Sequence, residues 1–297
     1  MRVGVIGSSA NDGTVGLVER WQALGVDVRL VTAGEALATL RRTDLAVARL
    51  DIRPSLDGVE PGLLAVLRLE RRGIEVVNPA SALLAAHDKL RTARLLGAAH
   101  LPHPPTVHVR SSTQLAGPYP FVLKPRFGSW GAGVALCRDH ADVDRYLEGA
   151  AGMTWFTRHG VLRQELVPNE GRDLRVLVAG GRVVGAIERR AAPGEWRTNI
   201  SLGGTSASVE PPDDARELAT TAALVAGADL VGVDLMRDPD GSLVVIELNA
   251  AVDFDSEYSF GGEDVYAAAA EALDLTPALD LPPPEPRSRL SVLGASL

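Results

Sequence analysis

The stretch LVGVDLMRDPDGSLVVIELNA, residues 230–250, holds two apolar runs on either side of the turn sequence DPDG. Apolar and β-branched residues flanking Asp, Pro, Asp and Gly read as an antiparallel hairpin. Carboxylates are out of place in strands this apolar, yet Asp234 sits in LVGVDLM and Glu247 in LVVIELN. Glu247 and Asn249 are two apart and face the same side of their strand. A turn centred near Pro239–Asp240 sets Glu247 diagonal to Asp234, and diagonal same-face neighbours lie about 7–8 Å apart. Two unpaired carboxylates on one buried face repel, so a cation between them is the economical explanation. A salt-bridged or solvated strand face is the plain alternative. Asp, Glu and Asn offer hard oxygens, which suit Mg²⁺ and phosphate rather than zinc. DPDG itself lacks the spaced ligands that follow in a calcium loop and reads as a turn.

A second stretch, FVLKPRFGSWGAGV at residues 121–134, begins as a strand and then places Lys124 before Gly128, Gly131 and Gly133. Glycines let backbone N–H groups approach an anion, so a phosphate cradle fits; a hairpin turn fits equally well. In the P-loop the lysine follows the last glycine, and the dinucleotide fingerprint is G-x-G-x-x-G; neither order is present. The early GVIGSSANDG lacks the fingerprint spacing as well.

With 297 residues the chain is long enough for two or three compact units. Its net charge of -8 argues against a general nucleic-acid binder, which needs clustered Lys and Arg, and against attraction to an anionic membrane. The single cysteine, Cys137, excludes an internal disulfide and a Cys zinc cluster and reads as a small apolar strand residue. Neither a signal peptide nor a membrane-spanning apolar run is legible, and the expected location is the cytoplasm.

Alternating strand and helix patterns (RVGVIG, VGLVERWQALG, VDVRLV, DLAVARL, GLLAVLRLERRG, IEVVN) predict a parallel α/β unit over residues 1–83. Next, SALLAAHDKLRTARLLG predicts one helix with Lys89 in its middle, where a solvated helix residue is the plain reading. It opens a smaller unit, 84–162, that carries the glycine loop. Residues 163–276 read as mainly strands: a hairpin around Gly180–Gly181, the helix DDARELATTAALVAGA and the hairpin at 230–250. The stretch 277–297 is Pro-rich and reads as a loose extension.

Taken in order, the mid-helix lysine, the lysine before the glycine loop, QELV, RDLR, ERR, WRTN and D…E-x-N resemble the ATP-grasp superfamily. Within it they resemble carboxylate–amine ligases of the RimK and LysX types, and the likeness runs to about residue 275. RDLRVLVAGGRVVGAIERRAAPGEWRTNISLGG is most similar to the RimK type, which adds glutamate to a ribosomal protein. VLKPRFGSWGAG and NAAVDF are more similar to the LysX type, which modifies a small substrate's amine with a carrier protein's C-terminal glutamate. The resemblance implies an α/β fold in which ATP is clamped between two sheets. It implies that Lys89 and Lys124 reach the nucleotide, and that Gly128, Ser129, Trp130 and Gly131 belong to a mobile lid over its phosphates. Trp130 then shuts out water, with packing as its plain alternative. Glu165, Leu166 and Val167 match the hinge that reads adenine, and Asp173 a ribose-side position. Arg175, Arg189, Arg197 and Asn199 match the catalytic polar wall. Surface salt bridging suits so many arginines on alternate strand positions poorly. Asp234, Glu247 and Asn249 match the ligands of two Mg²⁺ ions, which Mn²⁺ can replace.

The implied reaction forms an acyl phosphate from ATP and a carboxylate, then an amide as an amine displaces phosphate. A small-molecule kinase and a nucleotide-binding module without turnover are the competing classes. The implied partners are a small-molecule, peptide or carrier-protein carboxylate and an amine acceptor, without nucleic acid or membrane, and a homo-oligomer, dimer or tetramer, is expected. Where the RimK type commonly has Ser-Pro-Gly after its metal Asn, this chain has NAAVDFDSEYSFGG, and Asp253, Asp255 and Glu257 favour a cationic or amine-bearing acceptor.

Overall fold

The computed structural model of the chain describes residues 1–109, 112–252 and 255–276; Asp253 and the Pro-rich stretch 277–297 lie outside them. The N-terminal unit is a four-stranded parallel sheet of β1 (Val3–Ile6), β2 (Val28–Val31), β3 (Leu45–Ala48) and β4 (Glu75–Val77), in the order β2-β1-β3-β4. Every residue of β1 and β3 is buried, as a parallel sheet covered on both faces requires. The covering helices are α1 (Asp12–Ala23), α2 (Ala33–Thr39) and α3 (Leu63–Arg71). Asn11 caps α1 by accepting the Thr14 N–H at 2.7 Å, and Thr32 and Glu35 cap α2 reciprocally.

α4 (Ala80–His87) and α5 (Lys89–Ala98) lead to the central antiparallel sheet, β5 (Thr106–His108), β6 (Phe121–Pro125), β7 (Ala135–Cys137) and β8 (Val161–Glu165), ordered β5-β8-β6-β7, with α6 (His140–Ala150) and α7 (Thr154–His159). The third sheet is β9 (Arg172–Ala179), β10 (Arg182–Arg190), β11 (Thr205–Ser208), β12 (Leu230–Arg237) and β13 (Leu243–Asn249), ordered β11-β10-β9-β12-β13, with α8 (Asp213–Ala226) and α9 (Val265–Ala272). Gly180 turns the β9–β10 hairpin at φ 51°, where a Cβ would stand 1.9 Å from the Ala272 carbonyl oxygen, so no other residue fits there.

The central strands of the third sheet, β9 and β12, are covered on both faces. Val176 and Val178 enter the core containing α2, α3 and α8 residues, whereas Leu177 and Ala179 enter the core containing Trp21 and α9. Both cores also take residues from β1 and β3, so the N-terminal unit and the third sheet pack as one body. Polar pins cross the seam. Asn78, fully buried, donates to the Leu230 carbonyl at 2.6 Å and accepts the N–H groups of Asp229 and Leu230 at 2.9 and 3.1 Å. Trp21 Nε1 donates to the Tyr266 carbonyl at 3.0 Å. No helix among the described residues is long and apolar enough to cross a membrane.

Two local expectations change. The single helix around Lys89 is two helices: Asp88 breaks it at φ -90° and ψ 94° and accepts the Arg91 N–H, so Lys89 is the first residue of α5. Arg126 secures the break by bridging Asp88 at 2.6 and 2.5 Å. Asp234 and Glu247 stand directly opposite rather than diagonal, because a bulge between Asp234 and Leu235 shifts the register. The short elements α2, α7, β5 and β11 have no counterpart in the sequence reading.

Asn78→Ala leaves two N–H groups and one carbonyl unpaired in the seam, at a cost of about 2–3 kcal/mol. Urea denaturation of the two proteins measures it; a difference below about 0.5 kcal/mol would mean the seam does not depend on this side chain.

Candidate active site

A row of charges crosses one face of the third sheet. Register pairs Arg189 with Asp173, Arg175 with Asp234, and Asp234 with Glu247. Asp173 and Arg175 are two apart on β9, so all five share that face. Arg175 grips Asp234 through Nε and Nη2 at 2.6 and 2.7 Å. Arg189 grips Asp173 at 2.7 and 2.6 Å and also donates to Asp234 at 2.7 Å. Thr198 adds a hydroxyl bond to Asp173 at 2.5 Å. Burial works to raise the Asp234 pKa, but the guanidiniums of Arg175 and Arg189 outweigh it and hold the carboxyl well below its ordinary range.

Two adjoining cavities open over this row. The smaller, about 100 Å³, lies between the central and third sheets; Val122, Lys124, Glu165, Leu166, Val167, Met236 and Ile246 are among its walls. The larger, about 260 Å³, runs toward Asp51, Asn249, Asp255 and Glu257. They share Lys89, Gly128, Ser129, Trp130, Arg189, Asn199 and Glu247. The smaller has an apolar slot with main-chain groups at its edge, and the larger a strongly charged interior, so a planar aromatic ring and a charged group can sit end to end.

Both lysines reach the junction. Lys124 is 4% exposed, and its ammonium donates to Gln164 Oε1 at 2.8 Å. Burial pushes its pKa down to about 8. Lys89 donates to the Gly128 carbonyl at 2.5 Å and lies 3.3 Å from Glu247 Oε2. The segment 128–133 forms a roof. Trp130 has φ 61° and is 54% exposed, and its carbonyl accepts from Ser201 Oγ at 3.1 Å. Gly131 has φ 72°, and a Cβ there would stand 2.7 Å from Asn199 Oδ1. Arg197 donates to the carbonyls of Gly131 and Val134 at 3.3 and 3.2 Å.

Among the expected metal ligands, Glu247 and Asn249 line the larger cavity, and Asn249 Oδ1 accepts the Ala251 N–H at 3.0 Å. Both Asp234 oxygens are taken by guanidiniums. Among the described residues no group of three or more His, Cys, Asp or Glu is arranged to hold a metal ion. The donors therefore fit a hard cation held by Glu247 and Asn249 and completed by ligand oxygens, which Asp234 joins only on leaving its arginines. Asp173, expected on the ribose side, has both oxygens engaged by Arg189 and Thr198.

Several cavity residues went unnoticed in the sequence. Gln164, the partner of Lys124, stands in the quoted QELV and was legible there; Met236 and Ile246 look like any apolar strand residue. Asn169 lines the smaller cavity with a buried Nδ2 that has no hydrogen-bond partner among the described residues. Nothing local distinguishes it from a turn asparagine.

Comparison with known proteins places the chain in a family and a fold. The family model described as RimK-like ATP-grasp domain matches residues 86–271. A probable alpha-L-glutamate ligase of Xanthomonas euvesicatoria pv. vesicatoria is 35% identical over 217 residues, 71% of this chain and 72% of that protein. The crystal structure of a RimK domain ATP-grasp protein from Sphaerobacter thermophilus superposes with a TM-score of 0.64 at 22% identity, covering 92% of this chain and 99% of that one. The ATP-grasp ligase PsnB, complexed with minimal precursor, Mg and ADP, superposes with a TM-score of 0.66 at 19% identity, covering 92% and 98%.

Lys124 makes the site sensitive to pH. Its folded pKa of about 8 lies below the ordinary 10.5, so the unfolded chain binds more protons between them and the free protein gains stability as pH rises through that window. If Lys124 meets the phosphates of an anionic nucleotide, as the resemblance implies, binding runs the other way, because it then needs the ammonium. ADP affinity is expected to fall as pH climbs through about 8, and Lys124→Met to weaken binding at pH 7 and flatten the curve. Calorimetric titration at several pH values checks this; an unchanged slope in the variant would remove Lys124 from the binding site.

Proposed function

The chain belongs to the RimK-like ATP-grasp family and is an ATP-dependent carboxylate–amine ligase, and from that premise we propose that it activates its carboxylate substrate as an acyl phosphate and passes the acyl group to a small or peptide-borne amine. The observation that carries this reading is the pair of joined cavities, with a slot walled by apolar side chains on one side, a charged chamber on the other and one roof over both.

In the proposed arrangement adenine lies between Val122, Met236 and Ile246 and bonds to main-chain groups at Glu165–Val167. Asn169, rather than Asp173, offers a free donor to the ribose. Lys124 and Lys89 bring the phosphates to the junction. A substrate carboxylate oxygen attacks the γ-phosphorus, the bond to the β–γ bridging oxygen breaks, and ADP leaves. Arg175 and Arg189 lend positive potential to that wall as charge develops. Glu247 and Asn249 would hold Mg²⁺, which when bound neutralises the phosphoryl oxygens. The neutral amine then attacks the acyl carbon, phosphate departs and the amine proton is lost to solvent.

Charge distribution supports a substrate class. Arg175, Arg189 and Lys89 stand at the inner end of the larger cavity, and Asp51, Asp255 and Glu257 line it too. An amine acceptor is attracted to that acidic lining while the carboxylate to be activated faces the cations. An amino-acid carboxylate such as glutamate, the substrate in the names of the relatives, fits the inner end.

Incubation with ATP, Mg²⁺, pooled carboxylates and pooled amines is expected to release phosphate only when both pools are present, with condensation products visible by mass spectrometry. A phosphorylated product without amide would indicate a kinase instead, and no turnover a binding module. Glu247→Ala is expected to fold normally and lose roughly 100-fold or more in turnover, by analogy with removal of one transition-state contact. Near-normal rates at ordinary Mg²⁺ would exclude Glu247 from the chemistry.

A further inference from the structure

Arg197 donates to two carbonyls at the lid, Gly131 within it and Val134 at its C-terminal edge, and it does not reach them unaided. Glu195 grips it from behind: Oε1 accepts from Arg197 Nε at 3.0 Å and Oε2 from Nη2 at 2.8 Å. Glu195 Oε1 also accepts the N–H groups of Trp196 at 2.9 Å and Arg197 at 3.0 Å. The guanidinium is planar, so two anchored nitrogens fix the direction of the third. That third nitrogen, Nη1, points at the Gly131 and Val134 carbonyls. We infer that Glu195 is the positioning residue for lid closure: it aims Arg197 so that the loop after β10 fastens the glycine lid by its main chain.

The neighbours make the same contact in register. Arg197, Asn199 and Ser201 alternate along the loop, and all three meet the lid: Arg197 at Gly131 and Val134, Asn199 against the space a Gly131 Cβ would fill, Ser201 at the Trp130 carbonyl. Bonds to carbonyls hold the lid whatever its side chains do. Lys89 supplies a tie from the opposite side, at Gly128. Hydrogen bonds from Arg197 dominate at Glu195 and hold its carboxyl down at about 2, so the clamp stays charged across the physiological range. Both partners are about a quarter exposed, and a pair so placed adds little to global stability. Its effect lies in orientation: without Glu195 the guanidinium is free to swing into solvent, and the lid loses the bonds that keep water from a reactive intermediate.

The inference rests on the ligase reading for its consequence but not for its structural test. Hydrogen exchange of the full-length protein, with and without ADP and Mg²⁺, reports lid opening directly. Glu195→Gln is expected to speed exchange across residues 129–134 several-fold while the β9–β10 hairpin exchanges as before. Unchanged lid exchange would overturn the proposal. The exchanged pair Glu195→Arg with Arg197→Glu keeps an ion pair but puts a carboxylate where the donor stood, so the lid is expected to stay fast; wild-type protection in that variant would show that the ion pair alone matters and would also overturn it. In turnover, Glu195→Gln is expected to raise the ratio of phosphate to amide several-fold above one with ADP affinity within two-fold of wild type. If the wild-type protein forms no amide while lid exchange responds as expected, the ligase reading fails and the clasp stands.

Discussion

Two arginines and two aspartates locked together on the third sheet are the constraint from which the site is built. Asp173, Arg189 and Asp234 are each at most 6% exposed, and desolvating such groups costs several kcal/mol apiece unless every charge is met. Here every charge is met, by bidentate bonds that run from β10 through β9 to β12. The arrangement fixes strand register, because a one-residue slip would carry each charge into an apolar core on the opposite face. It also leaves the row's last member, Glu247, without a guanidinium hydrogen bond among the described residues and facing the cavities, with Lys89 as its neighbour.

That rigid floor contrasts with the roof. The central strands of the third sheet share their cores with the N-terminal unit, so floor and rear wall form one body. The roof segment is held by hydrogen bonds to its carbonyls from Lys89, Arg197 and Ser201. Small bonds of this kind, each worth about 0.5–1.5 kcal/mol net, can be made and broken in every cycle, whereas an apolar seal would have to be torn from a core. The proposed reaction, which admits a nucleotide and then shelters a water-sensitive intermediate, needs this difference between the two walls.

The electrostatics divide the larger cavity in the same economical way. Lys89 and Arg189 stand with the lid residues where the two cavities meet, and carboxylates line the stretch toward Asp255 and Glu257. Under the proposed function, a substrate carboxylate and an incoming amine meet opposite potentials in this cavity. Lys124 stands apart from this division. Buried against Gln164, its ammonium holds its proton less tightly than an exposed one does.

Much was legible in the order of residues. Apolar runs of strand length alternating with helical periodicity determined the parallel N-terminal unit, and Gly-Gly and DPDG determined the two hairpins, because these signals are local: they depend on side-chain spacing and on φ values that glycine alone adopts freely. The carboxylates of LVGVDLM and LVVIELN were conspicuous for the same reason, since charge inside an apolar strand demands a partner. What that partner is, only the tertiary structure decided. Asp234 is met by Arg175 and Arg189, and Arg189 stands 45 residues away in the chain. The bulge that sets Asp234 opposite Glu247, the break at Asp88 and the turn of Arg197 toward the lid are likewise invisible in sequence. The break and the turn are settled by side-chain contacts, Arg126 on Asp88 and Glu195 holding Arg197 against Gly131, and the direction of a long charged side chain is chosen by whichever partner the fold brings within about 3 Å.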